Sequence, residues 1–398
     1  MSTRTGAVGE SSLRAAAPEP IPFNRPSLEG DEIELMRAAV MQSGHTSADG
    51  PYSARAEELL QSEIGAQDVL LTTSCTAALE MSAMMLDIGP GDTVVVPSFG
   101  FVTTALAFVR QGAKVLFCDI EEQTLGLDPQ HLAELMDPTV RAVVPIHYAG
   151  VGCDVEGIRA VLTDWPRAEL IEDNAHGLFG RRDGRPLGSF GRFATLSFHE
   201  TKNFICGEGG ALIVNRAEDV ARANVLYHKG TDRQAFLLGQ VDKYSWQDVG
   251  SSFGMSDILA AFLYGQLERR DTILAKRRHA FGRYQRLLEP HAARLGLALP
   301  SVPANCEQAY HMFYVLLPDT ETRNRALSDM AAAGVHSTFH YVPLHTSPGG
   351  RRFSARETPC PVTERVSDRL LRLPFFTNLT DDDADRVVDA LVGSIEPS

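Results

Sequence analysis

Short apolar runs recur along the chain, separated by longer stretches in which apolar and polar residues mix at helical spacing. Seven runs, at 69–71, 94–96, 115–118, 142–146, 169–171, 195–197 and 211–214, have the length and aliphatic content of buried strands, and most gaps between them carry helix-compatible patterns. Strand followed by helix, repeated, predicts a mixed, mainly parallel sheet flanked by helices, an α/β fold. From 256 to about 288 the pattern turns helical, with Leu259, Phe262, Leu263 and Leu267 near helical spacing, and predicts a long connector. Beyond it, predicted strands at 310–317 and 335–340 with a helix between them read as a small α+β domain. At 398 residues the chain exceeds one typical domain. The expected organisation is a mobile tail over 1–20, a large α/β domain over 21–265, and a connecting helix with a small C-terminal domain over 266–398.

The candidate chemistry centres on Ser197-Phe198-His199-Glu200-Thr201-Lys202-Asn203, followed by Gly207-Glu208-Gly209-Gly210. A lysine attacks a carbonyl only as the neutral amine, which burial or a neighbouring cation favours, and Lys202 is placed to hold a carbonyl cofactor in this way. Most lysines are solvated surface groups, so the weight comes from what lies upstream. Asp173 ends the run Leu170-Ile171-Glu172, a carboxylate at the C-terminal end of a predicted strand, where ligands of open α/β sheets bind. An aspartate there suits a protonated pyridine nitrogen, and read alone it equally suits a helix N-cap. In Thr72-Thr73-Ser74-Cys75-Thr76-Ala77-Ala78, a strand gives way to a helix N-terminus whose free N–H groups, with the hydroxyls of Ser74 and Thr76, fit an anion such as phosphate. An ordinary Ser/Thr cap is the plainer reading of that turn.

These motifs occur together with Pro97-Ser98-Phe99-Gly100-Phe101, Val144-Pro145-Ile146-His147-Tyr148-Ala149-Gly150, Gly239-Gln240-Val241-Asp242-Lys243-Tyr244-Ser245-Trp246 and His340-Tyr341-Val342-Pro343-Leu344-His345. On that set the chain resembles, from about Ile21 to its C-terminus, the DegT/StrS family of pyridoxal-phosphate-dependent nucleotide-sugar aminotransferases. Within the family it is most similar to enzymes that aminate a TDP-4-keto-6-deoxyhexose at carbon 4, of the TDP-4-amino-4,6-dideoxygalactose transaminase type. The resemblance implies the type I fold of pyridoxal-phosphate-dependent transferases, the aspartate aminotransferase-like architecture. It further implies a homodimer with shared active sites, a nucleotide-sugar substrate and an amino-acid donor, usually L-glutamate.

Carried over by position, the resemblance makes Lys202 the catalytic Schiff-base lysine and Asp173 the partner of the pyridinium nitrogen. Ser74, Cys75, Thr76 and Ser197 fall at the cofactor phosphate, and Phe101 falls against the face of the ring, although by pattern alone it is an apolar helix residue. His176 stands where many members carry glutamine facing the phenolic oxygen. Ser252 stands where a neighbouring subunit often lends an asparagine to the phosphate. Lys243, Tyr244, Trp246, His340, Tyr341 and His345 become substrate-pocket candidates, with core packing or capping as the alternative for the aromatic and histidine side chains. A sugar dehydratase, an aminotransferase for another ketosugar and a non-catalytic cofactor-binding regulator remain the competing readings. Lys202 argues against the dehydratase branch, which has histidine in its place, and His199 reads as a packed or capping residue.

Composition narrows the partners. A net charge of -14 opposes general binding to nucleic acid or anionic membrane, leaving only local clusters such as Lys229 with Arg233, or Lys243, to meet a diphosphate. His311, His340 and His345 have no acidic or cysteine partner at ligand spacing, so no metal is expected. The six cysteines are scattered without paired spacing and read as free thiols of a reducing compartment. Residues 1–20 lack an apolar signal core, and a cytoplasmic protein is expected.

Overall fold

The structure, a computed structural model, describes residues 19–396. The expected mobile tail lies almost wholly outside them. Seven strands form one sheet: β1 (Asp68–Thr72), β2 (Thr93–Pro97), β3 (Lys114–Cys118), β4 (Val140–Val143), β5 (Glu169–Asp173), β6 (Phe193–Ser197) and β7 (Gly210–Val214), in the order β1-β7-β6-β5-β4-β2-β3. Only β7 runs antiparallel to its neighbours. All seven predicted runs fall in the sheet, and its strands are largely buried on both faces, as a sheet covered on both sides by helices requires. The fourth differs in register: β4 stops at Val143, and pairing resumes as an isolated bridge between Ile146 and Asp173.

Helices close both faces. Cys75–Met85 and Thr103–Arg110 pack with β2 and β3 in one apolar cluster, while Pro51–Ile64 and Asp257–Glu268 pack against β1, β6 and β7 in another. The predicted connector divides into Asp257–Glu268 and Arg270–Leu295, since Arg269 leaves helical geometry at φ -101° and ψ 14°. A further core gathers Tyr284 and Leu288 of the second helix with Phe313, Val315, Val387 and Leu391.

The C-terminal part corrects two expectations. The strand expected at 310–317 is only β8 (Tyr314–Leu316), because Tyr310 sits at φ +52°, where an extended strand cannot begin. Its partner is β9 (Leu370–Arg372), not the segment at 335–340. That segment makes single bridges only, Val335 to Ile21 and Thr338 to Arg372. Among the described residues no helix is long and apolar enough to cross a membrane, and all six cysteines are free thiols.

Candidate active site

The C-terminal ends of β1, β5 and β6 and the start of β7 open onto one cavity of about 640 Å³. Ser74, just past β1, caps helix Cys75–Met85 by accepting the Ala77 N–H on Oγ at 3.1 Å, so the cap predicted as the plainer alternative is present. The cap leaves the first helical N–H groups, those of Cys75 and Thr76, without an intrahelical acceptor and at the positive end of the helix dipole. Gly210 brings β7 directly beneath this turn. A Cβ there would lie 2.3 Å from the Cys75 nitrogen, so no other residue permits the approach. Burial, with Asp173 nearby, pushes the Cys75 thiol up to about 12, so the residue stays a neutral thiol near neutral pH.

Asp173, at the end of β5, is nearly buried and lines the cavity. Its Oδ2 accepts from Thr104 Oγ at 2.7 Å and its Oδ1 from the Ala175 N–H at 3.2 Å, which fixes the carboxylate plane. Lys202 follows β6 in the turn leading to β7 and faces the same cavity, as does the half-buried Ser197. Burial lowers the Lys202 amine to about 8 against the pull of Asp173, and Arg372 adds to the lowering. At pH 7 roughly a tenth of Lys202 is therefore the nucleophilic free base, far more than for a solvated lysine. The rate at which an amine-reactive reagent labels Lys202, followed by mass spectrometry of its tryptic peptide, should rise with pH about a midpoint near 8; a midpoint near 10 would mean that the amine is solvated.

One wall is aromatic and neutral. His176 stacks on His311 at 4.2 Å between centroids and 17° between planes, and His311 Nδ1 donates to Asn203 Oδ1 at 2.8 Å. Burial, then the charge of Lys202, holds His176 well below the usual histidine range, so it stays uncharged. His176 lines the cavity, and its Nδ1 is buried with no hydrogen-bond partner. Phe101 immediately precedes helix Thr103–Arg110 and lies at the cavity edge, 59% exposed, rather than in a core.

The aromatic wall continues into the C-terminal part through Tyr148, whose ring lies 5.8 Å from that of His176 and 6.1 Å from that of His340. His340 stacks on Tyr341 at 3.8 Å, donates from Nδ1 to Tyr148 at 3.1 Å and accepts from Arg372 on Nε2 at 2.6 Å. Burial, with Arg372 adding to it, pushes His340 down to about 2, so it is neutral too.

Ten of the predicted residues thus meet in one cavity: Ser74, Cys75, Thr76, Phe101, Asp173, His176, Ser197, Lys202, His340 and Tyr341. Others do not. His345 is turned away, with Nδ1 against Ser98 Oγ at 2.6 Å and Nε2 against Glu364 at 3.0 Å; it tethers a loop instead of lining the cavity. Ser252 is exposed and bridged to His228. Lys243, Tyr244 and Trp246 stand on an exposed segment, with Trp246 82% exposed, which excludes core packing within this chain. His199 accepts from the Thr201 N–H at 3.3 Å, the expected turn-capping contact, and also borders the cavity. Sequence reasoning missed Thr104, His311, Phe23 and Arg372. Arg372 carried a signal, a lone charge in the apolar run Leu370-Leu371-Arg372-Leu373.

Comparison with known proteins gives a consistent picture. The family described as DegT/DnrJ/EryC1/StrS aminotransferases matches residues 27–392. The spore coat polysaccharide biosynthesis protein SpsC of Bacillus subtilis is 31% identical over 380 residues, covering 93% of this chain and 96% of that protein. Among solved structures, the aminotransferase TlmJ from Streptoalloteichus hindustanus superposes with a TM-score of 0.85 at 29% identity, covering 94% of this chain and 98% of that one. The sugar aminotransferase CalS13 from Micromonospora echinospora gives 0.84 at 25% identity, covering 94% and 99%.

Proposed function

We propose that this chain, which belongs to the DegT/DnrJ/EryC1/StrS aminotransferase family and is a pyridoxal-phosphate-dependent sugar aminotransferase, transfers an amino group from L-glutamate to carbon 4 of a TDP-4-keto-6-deoxyhexose. The observation that carries the transamination is the meeting, in one cavity, of Lys202 with its amine lowered to about 8, the fixed carboxylate of Asp173, and a capped helix N-terminus. Support for the particular sugar comes from the motifs around Lys202, Gly207 and Lys243.

The residues fit pyridoxal phosphate. Its phosphate suits the N–H groups of Cys75 and Thr76 and the hydroxyls of Ser74 and Ser197, over the approach that Gly210 alone permits. Its ring nitrogen suits Asp173, its ring face Phe101, and its phenolic oxygen the partnerless His176. When bound, the group supplies an electron sink for the charge that develops on the carbon losing its proton. Asp173 holds a proton at the ring nitrogen, which keeps that sink effective. Lys202 would hold the cofactor through its amine, and as a free base that amine would move a proton to and from the reacting carbon. Tyr341 and His340 border the space left for the sugar.

The same reading makes the protein a cytoplasmic homodimer with shared sites. The free thiols support a reducing compartment. The exposed Phe236, Leu237, Leu238, Tyr244 and Trp246 form an apolar segment suited to a second copy, whose cavity Lys243 and Ser252 would then serve. A monomer in light scattering would remove this part. The reading also keeps a large cofactor-binding domain over 21–265 and a smaller one after it, whose residues His340 and Tyr341 close the cavity.

The test is to incubate the protein with pyridoxal phosphate, L-glutamate and TDP-4-keto-6-deoxyglucose and to analyse the product by mass and by proton coupling at carbon 4. A new amino sugar is expected, its coupling deciding between galacto and gluco configuration. No product, from protein whose cofactor absorbance still shifts with L-glutamate, discards this sugar and keeps the aminotransferase.

A further inference from the structure

The neutral wall beside Lys202 has two layers. His176 lines the cavity, and the His311 ring lies stacked behind it, 4.2 Å away between centroids and 17° from parallel. His311 is held at three points. Its Nδ1 donates to Asn203 Oδ1 at 2.8 Å, and the Asn203 amide nitrogen donates to the Ala309 carbonyl at 2.6 Å, which fixes the amide and so places the His311 proton on Nδ1. Its backbone N–H donates to the Ala149 carbonyl at 3.4 Å. Its own carbonyl accepts from Arg277 Nη2 at 2.7 Å, while Arg277 Nε donates to the Tyr310 carbonyl at 2.8 Å. Arg277 is only 2% exposed, and among the described residues no carboxylate pairs with it. A buried guanidinium thus clamps two successive carbonyls, across a Tyr310 held at a φ of +52°, a costly conformation for a bulky residue. What this clamp fixes is the plane of one imidazole against another.

The use of that plane follows from the two nitrogens of His176. Nδ1 is sealed from water and has no partner among the described residues, whereas Nε2 is not sealed and meets the cavity. A sealed acceptor is tolerated better than a sealed N–H, so a neutral His176 carries its proton on Nε2. To become charged it would need an N–H at Nδ1 as well, and that N–H would have an acceptor only if water entered. The His311 ring covers one face, and Tyr148 stands against the ring at 5.8 Å and 67°. The titratable groups that bear on the pair are Lys202, His340 and Arg372, with Arg277 behind His311, and each disfavours a further positive charge. The cavity carboxylates do not answer it: Asp173 is engaged by Thr104 and Ala175, and Glu208 lies 3.6 Å from His199.

We propose that His311 is a positioning residue that acts through His176: its ring, pinned by Asn203 and Arg277, seals His176 against water and so keeps it a neutral donor whose Nε2–H points to the phenolic oxygen of the cofactor. This rests on the cofactor reading of the site and adds to it a residue that lies outside the cavity lining. The electronics of the bound cofactor are then indifferent to histidine protonation.

Two measurements test it, neither needing donor or sugar. In cofactor-free wild-type protein labelled with nitrogen-15 histidine, with the two rings assigned through H176Q and H311F, the spectrum at neutral pH should show the His176 proton on Nε2 and the His311 proton on Nδ1. His176 should not titrate between about pH 5.5 and 7.5, the range of a solvated histidine. A proton on Nδ1 of His176, or a titration in that range, overturns the proposal. The second measurement follows the absorbance of holoenzyme over the same range. H311A opens the face to water, and a step absent from wild type should appear near the usual histidine value of 6.5, as His176 becomes charged beside the phenolic oxygen. H311F keeps a ring over the face and should add no step. H176Q/H311A should add none either, because an amide donates without titrating; a merely structural defect would not depend on residue 176 in this way. H311A without a step overturns the proposal, as does a step that persists in H176Q/H311A or one as large in H311F as in H311A. If H311A does not fold, H311S takes its place, and the wild-type nitrogen spectrum decides by itself. Wild-type protein that gains no absorbance from pyridoxal phosphate overturns the cofactor reading instead, a result distinct from all of these.

Discussion

Replacing Lys202 with methionine should lower transamination by about 10⁴-fold or more, since one side chain both anchors the cofactor and moves the proton at the reacting carbon. The arginine variant should be equally inactive, because it keeps a cation but supplies no free base near neutral pH. Turnover with donor and ketosugar, measured beside the absorbance of bound cofactor, checks this, and activity within tenfold of wild type would sink the assignment. The same substitution separates catalysis from stability. In the folded protein burial holds the Lys202 pKa near 8, below the unfolded value of 10.5. Between those values the unfolded chain binds more protons than the folded one, so the wild-type fold gains stability as pH rises from about 8 to about 10.5. Below pH 8 the whole penalty for holding the charged amine is present. Cofactor-free K202M should accordingly melt higher than cofactor-free wild type below pH 8, and the gap should narrow as pH rises toward 10.5. An enzyme that melts higher and turns over far more slowly is the pattern expected of a strained functional group.

The second large effect is expected at Asp173, where asparagine should lower turnover about 10²- to 10³-fold, comparable to removing one preorganised charge-stabilising contact from an active site. The substitution isolates charge from shape. An asparagine oxygen can still accept from the Ala175 N–H, and its amide can donate to Thr104 if that hydroxyl reverses, so the packing around the nearly buried residue persists. What disappears is the anion that holds a proton at the ring nitrogen. Both half-reactions should slow together, because each forms negative charge on a carbon attached to the same sink, and cofactor occupancy, read by absorbance after gel filtration, should fall much less than rate. Should turnover stay within tenfold of wild type, Asp173 would be reduced to the turn contact that its Oδ1 makes with Ala175.

The contrast between Asp173 and Lys243 shows how far local signals reach. Asp173 ends an apolar strand, and the ends of parallel strands share an edge whatever the loops do, so its place beside the ends of β1 and β6 follows from the pattern. The turn at Ser74 is equally local, since a cap is made by residues three apart. Lys243, Tyr244 and Trp246 belong to a motif with no such anchor, and in the folded chain they lie on an exposed segment away from the chain's own cavity. His345 shares a motif with His340 and Tyr341, yet five residues along it points to Ser98 and Glu364, because the 3-10 turn at Leu344–Thr346 rotates it out. The strand expected at 335–340 failed for a related reason. Its alternation suits an edge, but it meets the three-residue strand Leu370–Arg372 at the single bridge from Thr338 to Arg372.

By itself the sequence determined the seven strands of the main sheet and the residues at their ends, among them Ser74, Asp173 and the turn that carries Lys202, because periodicity, caps and strand ends are set by neighbours in the chain. Only the tertiary structure decided that Phe23, Tyr148, His340 and Arg372, drawn from both ends and the middle of the chain, would form one wall. It also decided that Arg372 would face the cavity with neutral partners and no carboxylate. The physical reason is that burial and unpaired charge are properties of a three-dimensional neighbourhood. An arginine among leucines looks like a misplaced surface residue until the fold shows what surrounds it.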